Sequence, residues 1–121
     1  MKNPTAVRER YLRDPLPIRL GGLAANLARV SSFADNPRHG AAVESLITES
    51  KFFIEWAAPE ADVETQAALA AIQVQLALWE LRWSSIWPDP VQRAAIADQA
   101  QVWSDRVLAL SGLLSEDTHD Q

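Results

Sequence analysis

Residues 62–90 read DVETQAALAAIQVQLALWELRWSSIWPDP and combine a long periodic apolar segment with the start of another helix. From Asp62 to Ile86 apolar side chains recur at three- and four-residue spacing without a single glycine, which is the pattern of a helix. Asp89-Pro90 then predicts a new helix, because aspartate caps free backbone N–H groups and proline at the first helical position loses no hydrogen bond. The stretch therefore predicts two consecutive helices joined by a short turn.

Proline divides the rest of the chain in the same way. Asp14-Pro15, Asn36-Pro37 and Ala58-Pro59 lie roughly one helix and one turn apart. Because short loops favour antiparallel neighbours, we predict an all-α fold, an antiparallel bundle of four main helices with a short N-terminal helical arm. The predicted segments are a basic arm at 1–14, a helical bundle at 15–114 with main helices at 16–34, 36–57, 62–86 and 89–114, and a polar C-terminal tail at 115–121.

Composition limits the classes of protein. The 121 residues are 48% hydrophobic and 22% charged, which is the balance of one globular domain. The chain has no cysteine, so disulfides, zinc–thiolate sites and thiol catalysis are excluded. Its first residues lead into charged positions, and no apolar run approaches the ~20 residues that a bilayer requires. We therefore expect a cytoplasmic location and no membrane partner.

Charge is unevenly distributed along the chain. Residues 1–38 hold seven basic and three acidic side chains, whereas residues 39–121 hold four basic and thirteen acidic ones, for a net charge of −5. One interpretation is that the basic third packs along the acidic remainder and forms surface ion pairs. The other is that it contacts an anionic partner. Nucleic acid is a poor candidate for that partner, because phosphate repels a chain of net negative charge.

The predicted helix at 62–86 is apolar on two sides, and such a helix must be buried on two sides. It therefore lies centrally or supplies one stripe to an interface. One stripe is Ile72, Leu76, Trp79, Trp83, Ile86 and Trp87; the other is Ala70, Val74, Ala77, Leu78 and Leu81.

Phe52 and Trp56 lie off the main apolar stripe of the preceding helix, where either the N-terminal arm or a second chain must cover them. With part of the first stripe they form our predicted interaction surface, although aromatic residues at this spacing fit a helical core equally well. The surface comprises Phe52, Trp56, Ile72, Leu76, Trp79, Trp83 and Trp87. We predict a non-enzymatic protein–protein interaction module, homodimeric and with an unknown protein partner.

Candidate chemistry is weak. Glu116-x-x-His119 has the spacing of one carboxylate–histidine metal element, but a di-iron site needs two such elements and further inward glutamates. His39 has no nucleophile or paired carboxylate near it in sequence. We therefore predict no catalytic residue, no metal and no cofactor. The alternative function is a small-molecule-binding bundle, or a minor enzyme, with an aromatic pocket near Trp79 and Trp83.

Two segments carry a resemblance. Ser50-Lys51-Phe52-Phe53-Ile54-Glu55-Trp56 and Leu23-Ala24-Ala25-Asn26-Leu27-Ala28-Arg29 resemble stretches of uncharacterised short helical proteins of cyanobacteria. The resemblance implies a cytosolic helical protein and brings no activity, substrate or site residue with it.

Overall fold

A computed structural model describes residues 4–114, and every regular element within them is helical. The all-α prediction is confirmed for this part of the chain. The predicted tail at 115–121, with Glu116 and His119, lies outside it. The helices are α1 (Pro4–Leu12), α2 (Leu16–Phe33), α3 (Gly40–Ala57), α4 (Val63–Leu81), α5 (Trp83–Ile86) and α6 (Pro90–Ser111), with short 3₁₀ turns at Pro37–His39 and Ala58–Glu60.

Side-chain caps mark the start of α4, of α6 and of one 3₁₀ turn, whereas α2, which follows Asp14-Pro15, begins without one. Asp62 Oδ1 accepts a hydrogen bond from Thr65 N at 2.8 Å before α4, and Asp89 Oδ1 accepts one from Val91 N at 2.9 Å before α6. Asn36 also caps, but it caps the 3₁₀ turn that leads into α3. These carboxylates and this amide satisfy backbone donors that the first helical turn leaves without partners.

Two predicted helices end earlier than the apolar pattern suggests. Arg82 leaves the helical conformation with φ −102° and ψ 12°, so the segment predicted at 62–86 is divided into α4 and α5. At the other end of the chain, Gly112 has a φ of 81°, which ends α6 at Ser111. Glycine adopts this left-handed conformation without the steric cost that a side chain brings.

The central helix is α2, which packs most extensively against α6 and α3. Small residues allow the close approach: a Cβ built on Gly21 would lie 2.9 Å from Leu113 Cδ1. Ser104 Oγ of α6 also donates a 2.7 Å hydrogen bond to the Ala24 carbonyl of α2. Of the two alternatives for the helix at 62–86, a central position or a stripe supplied to an interface, the central position belongs instead to α2, because α4 packs less extensively against its neighbours.

The core draws its apolar side chains from all four long helices. On α2, Leu20, Leu23, Leu27 and Val30 are buried and Leu16 packs against the core. The other largest fully buried residues are Val43, Ile47, Ile54, Leu69, Leu76, Ile96 and Val107.

Two polar residues of α2 are buried. Arg19 is 4% exposed and Asn26 is 3% exposed. Each has found a partner: Arg19 donates to the Glu60 carboxylate, and Asn26 Nδ2 donates to Glu49 at 2.9 Å. A buried polar group needs such partners, because without them its lost hydration is not compensated. The sequence pattern missed this burial because α2 contacts helices on two sides.

Candidate interaction surface

The inner face of α4 lies in the core. Leu69 and Leu76 are fully buried, and Ile72 is 3% exposed. Two members of the predicted interaction surface, Ile72 and Leu76, are therefore removed from it. Both side chains pack inside a single chain, so a partner cannot reach them without unfolding α4.

The outer face of α4 carries the exposed apolar side chains instead. Val63 and Leu81 are each 80% exposed, and Val74 is 59% exposed. Three exposed alanines lie between them, so the line contains no polar side chain from one end of the helix to the other. It is ~27 Å long at 1.5 Å per residue. This outer seam consists of Val63, Ala67, Ala70, Val74, Ala77 and Leu81.

The structure thus reverses the predicted roles of the two α4 stripes. The stripe with Ile72 and Leu76 faces the core, and Ala70, Val74, Ala77 and Leu81 of the other stripe face outwards, while Leu78 is half-buried. The physical reason is area, since burying a large apolar side chain removes more surface from water than burying alanine does. The sequence predicted two apolar stripes, but because both have the same helical periodicity, the periodicity does not indicate which one is buried.

The tryptophans of the predicted surface are half-buried and make contacts within the chain. Trp79 lies against Trp103 of α6, with ring centroids 4.9 Å apart. Trp83 stacks on Trp87 at 5.0 Å, and Trp87 Nε1 donates a 2.9 Å hydrogen bond to the Pro37 carbonyl. These contacts tie α4 and the turn before α6 to neighbouring elements.

The N-terminal arm, one of the two covers that the sequence left open for Phe52 and Trp56, reaches Trp56. Tyr11 of α1 stacks on Phe53 with centroids 4.0 Å apart and lies 5.9 Å from Trp56. Phe52 completes the cluster at 5.4 Å from Trp56. Burial raises the pKa of the Tyr11 phenol well above its usual value, although the nearby Arg19 charge opposes this. The phenol therefore stays protonated and donates to the Arg19 carbonyl at 2.7 Å.

A cleft of about 300 Å³ lies between α3 and α4. Glu80 projects into it with its side chain only 24% exposed. Both carboxylate oxygens are already occupied, one by Thr48 Oγ1 and the other by Lys51 Nζ, each at 2.6 Å. The aromatic pocket predicted near Trp79 and Trp83 is not this cleft, whose lining residues are Thr48, Lys51, Phe52, Glu55, Gln73 and Glu80.

The part of the chain that the structure describes offers neither a metal site nor a membrane-spanning helix. Between residues 4 and 114, no group of three histidine, aspartate or glutamate side chains is placed to hold a metal ion. His39 is exposed and its ring meets the edge of Phe33 at 5.2 Å. Within the same range, no helix combines the length and apolar character needed to cross a bilayer.

Comparison of the chain with protein-family models, with curated proteins and with solved structures returns no match in any of the three. The resemblance to cyanobacterial proteins therefore stays a prediction.

Proposed function

We propose that this chain is a non-enzymatic protein–protein interaction module that works as a homodimer, and that the outer seam of α4 is its contact surface. One observation carries the proposal: six apolar residues on one helix face are all exposed. Contiguous apolar surface of this kind on a small protein marks an interaction site more often than scattered apolar residues do.

The rest of the surface supports the choice of α4. Exposed valines also occur on α6, where Val91 is 75% exposed and Val102 is 58% exposed. Asp98 lies between these two valines on the same helix face, so they do not form a continuous apolar line. The outer seam has no such interruption, and this difference favours a partner at α4 over one at α6.

The proposal also includes an antiparallel arrangement of the four long helices. Short turns join α2, α3, α4 and α6, and this supports an antiparallel packing of the four long helices. Such a packing leaves one face of α4 free at the edge. A cytoplasmic location stays a prediction from the sequence.

The alternative, a small-molecule-binding bundle, has the cleft beside Glu80 as its support. Its volume lies at the lower end of the range for ligand sites. Its most buried charge is Glu80, and Thr48 and Lys51 satisfy both oxygens of that carboxylate. A ligand would have to displace an existing ion pair, so the cleft favours a structural role and the interaction module remains the better proposal.

Two matched substitutions test the proposed contact surface. Val74 on the seam and Val102 on α6 have nearly equal exposure, 59% and 58%, and both lie in the middle of a helix. We expect the wild type and Val102→Glu to show a dimer mass by light scattering at high micromolar concentration. Val74→Glu should show the monomer mass of 13.4 kDa, because a dimer would bury its charge. A wild type that is monomeric throughout the concentration series would refute the homodimer.

A further inference from the structure

We propose that the occupant of the outer seam is the α4 helix of a second copy, lying antiparallel about a two-fold axis at the level of Ile72. This inference rests on the proposed function, and it adds the partner segment, its direction and its register. A two-fold interface is isologous, so the same face must be complementary to itself.

The outer seam has this self-complementarity in its spacing. Its members lie symmetrically before and after residue 72, so an antiparallel partner centred there brings each residue opposite its counterpart. The two end pairs join valine to leucine, and each of the other pairs contains at least one alanine. The facing pairs are Val63 with Leu81, Ala67 with Ala77, and Ala70 with Val74, each made twice.

The intervals along the seam are those of a coiled coil. Successive members are four, three, four, three and four residues apart, which is the alternation that keeps one line of side chains facing a partner helix. Alanine at three of the six positions allows the two backbones to approach to about 8 Å, the short end of the range for helix pairs. Close packing of this kind compensates for the small area that each alanine buries.

Charge selects the antiparallel direction. Glu64 in the first turn of α4 and Arg82 just after its last turn lie on the same flank of the seam, and both are exposed. In the antiparallel pair Glu64 of each copy lies beside Arg82 of the other. A parallel pair would instead leave the two Glu64 side chains on opposite flanks of the interface, with no Arg82 of the other copy beside them, and would align the two helix dipoles unfavourably.

Segments of the same chain outside the described residues are poor occupants. Residues 115–121 read SEDTHDQ and contain no apolar side chain, and residues 1–3 contribute only Met1. Neither segment can cover an apolar line ~27 Å long. A second α4 supplies an apolar line of equal length.

The size of the seam sets the strength of the pair. A specific interface buries at least ~1,000 Å² in total, or ~500 Å² on each copy. One helix face with three alanines lies near this lower limit, so we expect a dimer that dissociates in the micromolar range.

The absence of cysteine makes the register directly measurable. Ala67→Cys and Ala77→Cys are prepared as separate single variants of the full chain, then oxidised alone and as an equal mixture. Two α-carbons must lie within ~7 Å to form a disulfide. In the antiparallel pair position 67 faces position 77 of the other copy, whereas equivalent positions are ten residues, or ~15 Å, apart along the axis. We expect the mixed disulfide to predominate, with little dimer from either variant alone.

Adding Val74→Glu to both cysteine variants should reduce the yield of mixed disulfide at least ~10-fold. The buried charge destabilises the α4–α4 dimer, which holds the two thiols close together. Disulfide dimers of each variant alone, with no mixed disulfide between positions 67 and 77 in the mixture, would show a parallel pair and overturn the inference while the homodimer stands. A dimer by light scattering without any disulfide would place the interface elsewhere and also overturn it. A monomer at every concentration would refute the proposed function itself.

Discussion

Arg19 donates two hydrogen bonds to the carboxylate of Glu60, at 2.9 and 2.8 Å, and so joins the first turn of α2 to the 3₁₀ turn that precedes α4. The two partners differ in burial, because the Arg19 side chain is 3% exposed and that of Glu60 is 55% exposed. Arg19 Nε also donates to the Asp14 carbonyl at 2.9 Å. The buried guanidinium therefore depends on Glu60 for its only compensating carboxylate among the described residues.

The pH dependence of stability in a Glu60 variant tests whether Arg19 depends on this carboxylate. The hydrogen bonds from Arg19 hold the pKa of the Glu60 carboxyl below its usual value of 4.5. A lowered folded-state pKa contributes stability above the unfolded pKa, and this contribution is lost as the pH falls through the folded value. We expect Glu60→Gln to be less stable than the wild type at pH 7, with the difference disappearing in strong acid. Urea melts across this pH range measure the free energy of unfolding of each protein, with Glu55→Gln as an exposed control on α3. A stability difference between wild type and Glu60→Gln that does not change with pH would contradict the interpretation.

Ser50 offers a prediction of opposite sign. Its Oγ is fully buried and has no hydrogen-bond partner among the residues that the structure places. Ser50→Ala should raise the free energy of unfolding by ~1 kcal/mol, because it removes an uncompensated hydroxyl and favours the helix.

Ser104→Ala is the matched control for Ser50→Ala, since Ser104 is also buried in a helix but donates to the Ala24 carbonyl. We expect this substitution to lower the free energy of unfolding by ~1 kcal/mol. Thermal and urea melts of the two variants would reject the assignment if both shifted stability in the same direction.

The helical character of the chain and the starts of α4 and α6 could be predicted from the sequence, but the break at Arg82 and the burial of Arg19 could not. Asp89-Pro90 marked the start of α6 correctly, because a cap and a proline act locally on one turn of backbone. Whether a side chain is buried depends on which other elements pack against it in the folded chain. The residues around Arg19 in the sequence do not reveal its partner, because Glu60 is 41 positions away.

The candidate surface illustrates the same limit. The sequence identified two apolar stripes on α4, and only the tertiary packing decides which one remains outside. Size was the available signal: Ile72 and Leu76 bury more area than Ala70 and Ala77, so the larger stripe belongs to the core. That criterion would have selected the outer seam.

Two glycines in helices should respond differently to alanine. A Cβ on Gly40 would lie 2.7 Å from Trp87 Nε1, whereas a Cβ on Gly22 would lie 3.9 Å from its nearest neighbour, Tyr11 Cε1. Trp87 cannot move freely, because its indole stacks on Trp83 and is bonded to the Pro37 carbonyl. Gly40→Ala should therefore cost ~1–3 kcal/mol through overpacking, while Gly22→Ala should stabilise α2 by ~0.5–1 kcal/mol. Equal effects of the two substitutions in thermal melts would show that Gly40 is not a close-contact position.

The last prediction tests the flanks of the proposed antiparallel pair. Arg82→Glu would place a glutamate beside Glu64 of the second copy at both ends of the interface. Loss of two exposed pairs worth ~0.2–1 kcal/mol each should raise the dissociation constant by ~2- to 30-fold at low salt, and by less at high salt because the charges are screened. Adding Glu64→Arg should restore the dimer, since each pair is then reversed and not removed. Arg106 lies 3.6 Å from Glu64 within the same chain, so Glu64→Arg alone controls for loss of that contact. Sedimentation equilibrium at two salt concentrations measures all four proteins. The contrary outcome is a loss of dimerisation free energy in the double variant that equals the sum of the losses in the two single variants. In that case Glu64 and Arg82 do not meet across the interface, and the antiparallel pair loses its electrostatic support.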